Sequence, residues 1–138
     1  MKKILIVGLL ILVTACSNSG DEESTIYCSI ERSEANYSVS QQLVYEDNKL
    51  IQLNLNQSYF GANKESMDEI AKEANQRKGV EYDYELDGAI VNIVVKVDMT
   101  QLEDTYYSNY GITDEMMNDK DYALEVLNAD WGNCIIEK

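Results

Sequence analysis

The chain has 138 residues, with 11 Lys and Arg against 25 Asp and Glu, and a formal net charge of −14 at pH 7. This length and a hydrophobic content of 45% suit one compact soluble domain and exclude two large ones. Such an acidic chain offers no basic surface to neutralise phosphates, and we therefore expect no nucleic-acid partner. Because it has no His, the chain alone cannot build Ser-His-Asp or Cys-His nucleophiles or His-ligated metal sites.

The first residues have the layout of a signal peptide. Lys2 and Lys3 precede an apolar run from Ile4 to Val13. A helix needs roughly 20 residues to cross the hydrocarbon core, and this run is shorter, so we expect a cleaved segment and no permanent span.

The apolar run ends in Leu12-Val13-Thr14-Ala15-Cys16, which resembles the lipobox of bacterial lipoproteins. The resemblance implies that the lipoprotein signal peptidase recognises Val13, Thr14 and Ala15. It also implies that residues 1–15 are removed and that the Cys16 sulfur carries diacylglycerol. Two acyl chains hold a protein on a membrane stably, whereas one chain binds only reversibly. The alternative is an ordinary secretory signal in which Cys16 lies near the cut by chance.

A short acidic segment follows the predicted cut. Ser17 to Ser24 are small, polar or acidic, which indicates a flexible spacer over residues 16–24 and a folded domain over residues 25–138, starting near Thr25. Loss of Lys2 and Lys3 would leave 9 basic against 25 acidic residues. An anionic bilayer repels such a domain, so we expect attachment through lipid and not through a basic patch.

The domain begins with strand-like alternation. In two successive stretches every second residue falls on one apolar face, and a turn at Asp47-Asn48 separates the two stretches. This pattern predicts a meander of half-buried strands. The apolar face of the earlier run consists of Tyr37, Val39, Gln41, Leu43 and Tyr45, and that of the later run of Ile51, Leu53 and Leu55. Gln52, Asn54 and Asn56 alternate with the later set.

The period then changes to that of a helix. From Asn63 to Lys78 the sequence predicts one amphipathic helix that ends at Gly79. Its predicted buried face consists of Met67, Ile70, Ala71 and Ala74.

Alternation returns after Gly79. Tyr82, Tyr84 and Leu86 alternate with Glu81, Asp83 and Glu85, and Asp87-Gly88 predicts a hairpin into Val91, Ile93, Val95 and Val97. Thr100 to Tyr107 is interpreted as a short turn capped by Thr100 with Glu103, Thr113 to Asn128 as a second helix, and Asn133 to Glu137 as a final strand. The order β-β-β-α-β-β-α-β predicts a single α+β domain, an antiparallel sheet with two helices on one face.

Two cysteines remain beside Cys16. Cys28 lies in the first predicted strand and Cys134 in the last. Exported proteins meet a non-reducing compartment, which makes this pair a disulfide candidate. Two buried free thiols are the alternative, because the distance between them cannot be known from sequence.

The acidic clusters favour solvated surfaces over sites. Glu81, Asp83 and Glu85 share one strand face, but calcium needs six to eight converging oxygens, usually from a loop. The sequence contains no EF-hand loop. The carboxylates around the start of the last helix are explained by their favourable interaction with the helix dipole. These carboxylates are Asp114, Glu115, Asp119 and Asp121. No motif specifies a nucleophile or a base, so we expect a protein that is not an enzyme and needs no metal or other cofactor.

The chain has ten Tyr against one Phe. Aromatic residues with polar tips are favoured at interfaces and sugar-binding surfaces, but they also cover the rim of a core. Tyr59, Tyr106, Tyr107, Tyr110 and Trp131 lie outside the clearest alternations. Tyr82 and Tyr84 are expected in the core, and Met116-Met117 is expected to pack a helix.

The layout is similar to that of the YehR-like family of small bacterial lipoproteins. The similarity rests on the lipobox, the spacer, the Cys-bearing first and last strands, and the segments D-N-K-L-I, K-G-V, L-D-G-A and V-V-K-V-D. It implies an α+β lipoprotein domain and a bridge between Cys28 and Cys134. It implies no activity.

Together these features predict a membrane-anchored bacterial envelope lipoprotein, on the extracytoplasmic face, with a non-catalytic acidic domain. The expected partners are the membrane, through the lipid anchor, and an envelope protein or polymer. A module that binds a small ligand or a divalent cation is the alternative.

Overall fold

A computed structural model describes residues 22–138, which form one antiparallel sheet of six strands with helices on one face. The strands are β1 (Glu23–Arg32), β2 (Tyr37–Glu46), β3 (Lys49–Phe60), β4 (Val80–Asp87), β5 (Ile90–Asp98) and β6 (Cys134–Glu137). Their spatial order is β4-β5-β3-β2-β1-β6. The α-helices are α1 (Lys64–Ala74), α2 (Asp114–Asn118) and α3 (Lys120–Trp131), and short 3-10 helices span Ser33–Ala35 and Asp104–Tyr110.

The core lies between one sheet face and the helices. Alternate residues of the long strands are buried, and they form one cluster with side chains of all three α-helices. The helical members are Met67, Ala74, Met116, Met117, Ala123 and Leu127. The predicted antiparallel sheet with helices on one face is therefore present, and so are the meander and the Asp87-Gly88 hairpin.

Strand β1 begins at Glu23, two residues before the predicted start of the domain. Glu22 and Asp47 fix this point, since the Asp47 amide donates to the Glu22 carbonyl at 2.9 Å and the Glu22 amide donates to Asp47 Oδ1 at 3.1 Å. Ser24 is buried opposite Tyr45. Two residues assigned to the spacer thus belong to the sheet.

A bulge changes the predicted alternation of β3. Val44 pairs with Gln52 but Tyr45 pairs with Leu50, so Ile51 is an extra residue. A bulge reverses the faces of the residues beyond it. Leu50 is therefore fully buried and Ile51 only half-buried, which corrects the predicted place of Ile51 in the buried set.

Helix α1 is shorter than predicted and ends at Ala74, before Gly79. Asn63 caps its start by accepting the Ser66 amide at 2.9 Å. Met67 and Ala74 are buried, but Ile70 is 46% exposed, which corrects its predicted place on the buried face. The helix packs along the edge strand β4, so only a narrow stripe of it contacts the sheet.

The predicted second helix is two helices. Asp119 has extended backbone angles, φ −146° and ψ 101°, and its side chain accepts the amides of Asp121 and Tyr122. An Asp that satisfies the first amides of a new helix competes with continuation of the old one. The helix pair α2–α3 therefore replaces one helix over Thr113 to Asn128.

The cap predicted for the turn after β5 is also different. Asp98, not Glu103, closes that turn: its Oδ1 accepts the Thr100 amide at 3.0 Å, and its Oδ2 accepts Gln101 Nε2 at 2.7 Å. The following 3-10 helix begins after Glu103 without a side-chain cap. Asp98, which precedes the turn, thus caps it in place of the predicted pair Thr100 and Glu103.

Candidate functional site

The predicted lipidation site lies outside the described residues. Cys16 and the recognition residues Val13, Thr14 and Ala15 precede residue 22, where the description begins. Within residues 22–138 no helix is long and apolar enough to span a membrane.

Cys28 and Cys134 form a disulfide. They are directly opposite each other in the β1–β6 pair, with their Cα atoms 4.3 Å apart. Cys28 is fully buried and Cys134 is 9% exposed. The bond therefore fixes the short edge strand β6 to β1, and both sulfurs are part of the core.

The aromatic residues and methionines that the sequence singled out serve the core. Met116 and Met117 are buried on α2. The half-buried aromatic residues pack against the same core, and these are Tyr59, Tyr82, Tyr84, Tyr106, Tyr107, Tyr110 and Trp131. Burial raises the pKa of Tyr82 to about 12. Apart from Arg77, whose guanidinium lies 4.9 Å from the Tyr106 ring centre, no cation stacks on an aromatic ring within residues 22–138.

The carboxylates of β4 lie on the exposed sheet face. Glu81, Asp83 and Glu85 all project from this edge strand into solvent. In the described part of the chain, no group of three or more Asp, Glu or Cys residues is arranged to hold a metal ion.

A wide cavity, about 770 Å³, lies where β4 and β5 meet the turn after α1. Several of its polar residues already have structural partners among residues 22–138. The Asn75 side chain accepts the Tyr82 amide at 2.8 Å and donates to the Tyr82 carbonyl at 2.9 Å. Asp98 holds its own turn, and Arg77 contacts Glu73 at 3.4 Å. The Asn75 bonds close the outer edge of β4, and the remaining charged residues that line the cavity, Glu46, Glu81 and Lys96, are exposed.

The sheet face opposite the helices has a different composition. We call the polar face the uncharged hydroxyl and amide side chains of β1, β2, β3 and β5 that point away from the core. They are Thr25, Tyr27, Ser29, Ser38, Ser40, Gln42, Gln52, Asn54, Asn56, Ser58 and Asn92. Because successive residues of a strand point to opposite faces, the alternation that buries the core places all of them on this side.

Register brings these side chains into rows across the strands. Ser29 pairs with Ser40, Ser40 with Asn56, and Asn56 with Val94. A second row joins Ser38, Ser58 and Asn92. Directly opposite side chains lie about 4.5–5.5 Å apart, so each row presents a continuous line of neighbouring groups, most of them able to form hydrogen bonds.

Charge is excluded from the centre of the polar face. Between Ser38 and Val44 on β2, and between Gln52 and Ser58 on β3, no outward residue is charged. Charged side chains border the face on β4, at the ends of β1 and β5, and at the end of β6. Among them are Glu31, Glu81, Asp83, Glu85, Lys96, Asp98 and Glu137. A chain of net charge −14 thus has a neutral patch that extends over four strands.

Most of these side chains have no hydrogen-bond partner among residues 22–138. Gln52 Nε2 donates to Asn54 Oδ1 at 2.8 Å, and Asn54 Nδ2 donates to Gln42 Oε1 at 3.4 Å. The other side chains of the polar face make no side-chain hydrogen bond within residues 22–138. A groove of about 450 Å³ crosses this part of the face and includes both rows.

The sequence indicates this surface through its outward amide residues, which the overall acidic composition does not reveal. Alternation places Gln52, Asn54 and Asn56 on the outward side of their strand, but the prediction did not use the fact that they are amides and not charged residues. In a chain in which 26% of residues are charged, a run of uncharged polar residues at outward positions is a usable indication. That four strands carry it side by side depends on the sheet order.

Comparison with known proteins shows the fold. No protein-family model matches the chain, and no curated protein matches it. It is similar to a solved NMR structure of a protein from Streptococcus pneumoniae TIGR4, with a TM-score of 0.63 and 15% identity. The similarity covers 99% of this chain and 96% of that one. At this identity the likeness extends to the architecture alone.

Proposed function

We propose that this protein is a membrane-anchored envelope lipoprotein of the YehR-like type, whose non-catalytic domain binds an envelope polymer or protein through its polar face. Residues 1–15 act as the signal peptide, Cys16 carries the lipid, and the α+β domain stands on the extracytoplasmic side. The lipobox pattern supports the anchor. A disulfide between Cys28 and Cys134 suits an exported protein, since such bonds persist in oxidising compartments.

The observation that carries the binding role is the neutral polar face in so acidic a chain. Net charge keeps a protein soluble, and the rest of this surface supplies it. Free hydroxyl and amide groups on a rigid sheet are already oriented, so a ligand that binds them loses little additional conformational freedom. The alternative, a divalent-cation module, lacks a group of converging ligands among residues 22–138.

The anchor is tested with Cys16→Ser. The wild-type chain should partition with membranes and incorporate a radiolabelled fatty acid, whereas the Cys16→Ser chain should lose the label and stay uncut or be released. Ser17→Ala, one residue further along, serves as the matched control and should behave like the wild type. If the Cys16→Ser chain is still acylated and cut after Ala15, the lipobox interpretation is wrong.

The binding role is tested with the full chain in detergent micelles and sedimented cell envelopes. Ser40→Glu with Ser58→Glu places two carboxylates in the groove and should abolish co-sedimentation. Gln76→Glu with Thr105→Glu adds the same charge on exposed positions elsewhere and should leave it unchanged. Equal retention of both double variants would refute the polar face as the binding surface.

A further inference from the structure

We infer that the polar face binds a neutral, hydroxyl-rich polymer, that is, an uncharged glycan chain lying across the strands in the 450 Å³ groove. This inference rests on the proposed function and names the ligand class of the same surface. Four properties of the groove carry it: its shape, its hydrogen-bonding groups, its apolar surfaces and its charge.

The shape fits an extended chain. Neighbouring strands lie about 4.8 Å apart, so the groove from Ser29 on β1 to Asn92 on β5 crosses three strand spacings, about 14 Å. Its two rows of side chains are two residues apart along each strand, which is about 6.8 Å. The groove is thus longer than it is wide, open at the surface, and suited to several units of a polymer.

The hydrogen-bonding groups fit hydroxyls. Serine hydroxyls both donate and accept, and each Asn amide offers two donors and an acceptor. A sugar hydroxyl has the same dual character, so it can satisfy these groups without a formal charge. The groove contains Ser29, Ser38, Ser40 and Ser58 together with Asn56 and Asn92.

Two apolar surfaces lie beside these groups. Tyr27 is half-buried and lines the groove at β1, and Val94, 42% exposed, lines it at β5. An aromatic ring with a polar tip offers a flat apolar face to a partner that is itself partly apolar, as the C–H face of a sugar ring is.

Charge and composition favour a neutral glycan over other polymers. A polyanion would be repelled by the net charge of −14, by Glu31, which lines one end of the groove beside Ser38, and by Asp83 and Glu85 on the neighbouring strand β4. The cores of protein interfaces are enriched in Met and Arg, and the groove is lined by neither. The most exposed large apolar side chain of residues 22–138, Phe60 at 63%, lies outside the groove.

The test uses the full chain in detergent micelles and insoluble polysaccharides. Chitin and cellulose are the neutral probes, and calcium-free crosslinked alginate beads are the anionic probe. We expect retention on at least one neutral polymer and none on alginate. Asn56→Ala with Asn92→Ala should weaken retention about tenfold, with Gln76→Ala and Thr105→Ala as the matched control pair. Tyr27→Ala should weaken it independently, and unchanged thermal midpoints will show that the variants fold.

Failure of the glycan inference is distinguishable from failure of the proposed function. If neither neutral polymer retains the chain, or if retention ignores the groove variants, the glycan inference is overturned. When envelope binding still depends on Ser40 and Ser58 but is lost after protease treatment of the envelopes, the ligand is a protein and only the glycan inference falls. Envelope binding that ignores the Glu variants overturns both.

Discussion

Removal of the disulfide should destabilise the domain by an amount that follows from its topology. Cys28 and Cys134 are 106 positions apart, so the bond closes a loop that contains nearly the whole described domain. The chain-entropy model gives a maximum of about 4.7 kcal/mol for a loop of this size, and removal of native bridges from small secreted domains costs about 2–5 kcal/mol. Both sulfurs are buried, so their replacement by Ser also places a hydroxyl in the core.

Cys28→Ser, Cys134→Ser and the double variant are compared by thermal unfolding followed by circular dichroism. Since one substitution already opens the loop, each single variant should lose about as much as the double variant, apart from the smaller cost of the second buried hydroxyl. A loss of about 2 kcal/mol corresponds to roughly 6 °C or more in a domain of this size. Alkylation of the denatured, non-reduced wild type should label neither residue. Two labelled sulfurs, together with additive losses, would show that the residues are free thiols.

Three further outcomes are expected. The buried Tyr45 hydroxyl donates to the Met116 carbonyl at 2.6 Å, and Tyr45→Phe removes this donor. The substitution should lower the free energy of unfolding in urea by about 1–3 kcal/mol. A residue with a Cβ costs roughly 1 kcal/mol in the left-handed region, and Gly79 has a φ of +84°. Gly79→Ala should destabilise the domain by more than this, because the added Cβ would also lie 2.7 Å from the Asp98 carbonyl oxygen. An unchanged free energy of unfolding would refute the clash. Hydrogen bonds from the Thr100 hydroxyl first, and from the Gln101 side chain second, hold the pKa of the Asp98 carboxyl below its ordinary value of 3.8. The contribution of these bonds to the free energy of unfolding is therefore complete above pH 3.8 and is lost as the pH falls through the lowered pKa of Asp98. Carboxyl NMR titration of Thr100→Val should find the Asp98 pKa closer to 3.8.

Local chemistry explains where the sequence-based prediction was too simple. The predicted long second helix treated Asp119 as one of several carboxylates near the start of a single helix, whereas its side chain caps the start of a separate one. The predicted cap at Thr100 overlooked Asp98, the last residue of β5, whose carboxylate folds back over the turn. In both cases an Asp side chain accepts backbone amides for which the prediction had named no such partner.

The position of the predicted functional residues depended on two different kinds of information. A lipobox is a contiguous motif, so the assignment of Cys16 and its neighbours needs only the order of residues, and it stays a prediction. The pairing of Cys28 with Cys134 could be weighed from compartment and family resemblance, but only strand register places the two residues opposite each other. Distances between remote residues are set by the fold.

The sequence by itself determined the strands, the hairpin and the sheet class, because side-chain alternation follows directly from the two-residue period of a strand. Tertiary structure decided which side chains β1, β2, β3 and β5 bring together on one surface. Ser40, Asn56 and Asn92 are far apart in sequence, and only the order β1-β2-β3-β5 and its register place them in one groove. Tertiary structure also decided the bulge at Ile51 and the exposure of Ile70, because both depend on which neighbouring element each residue meets.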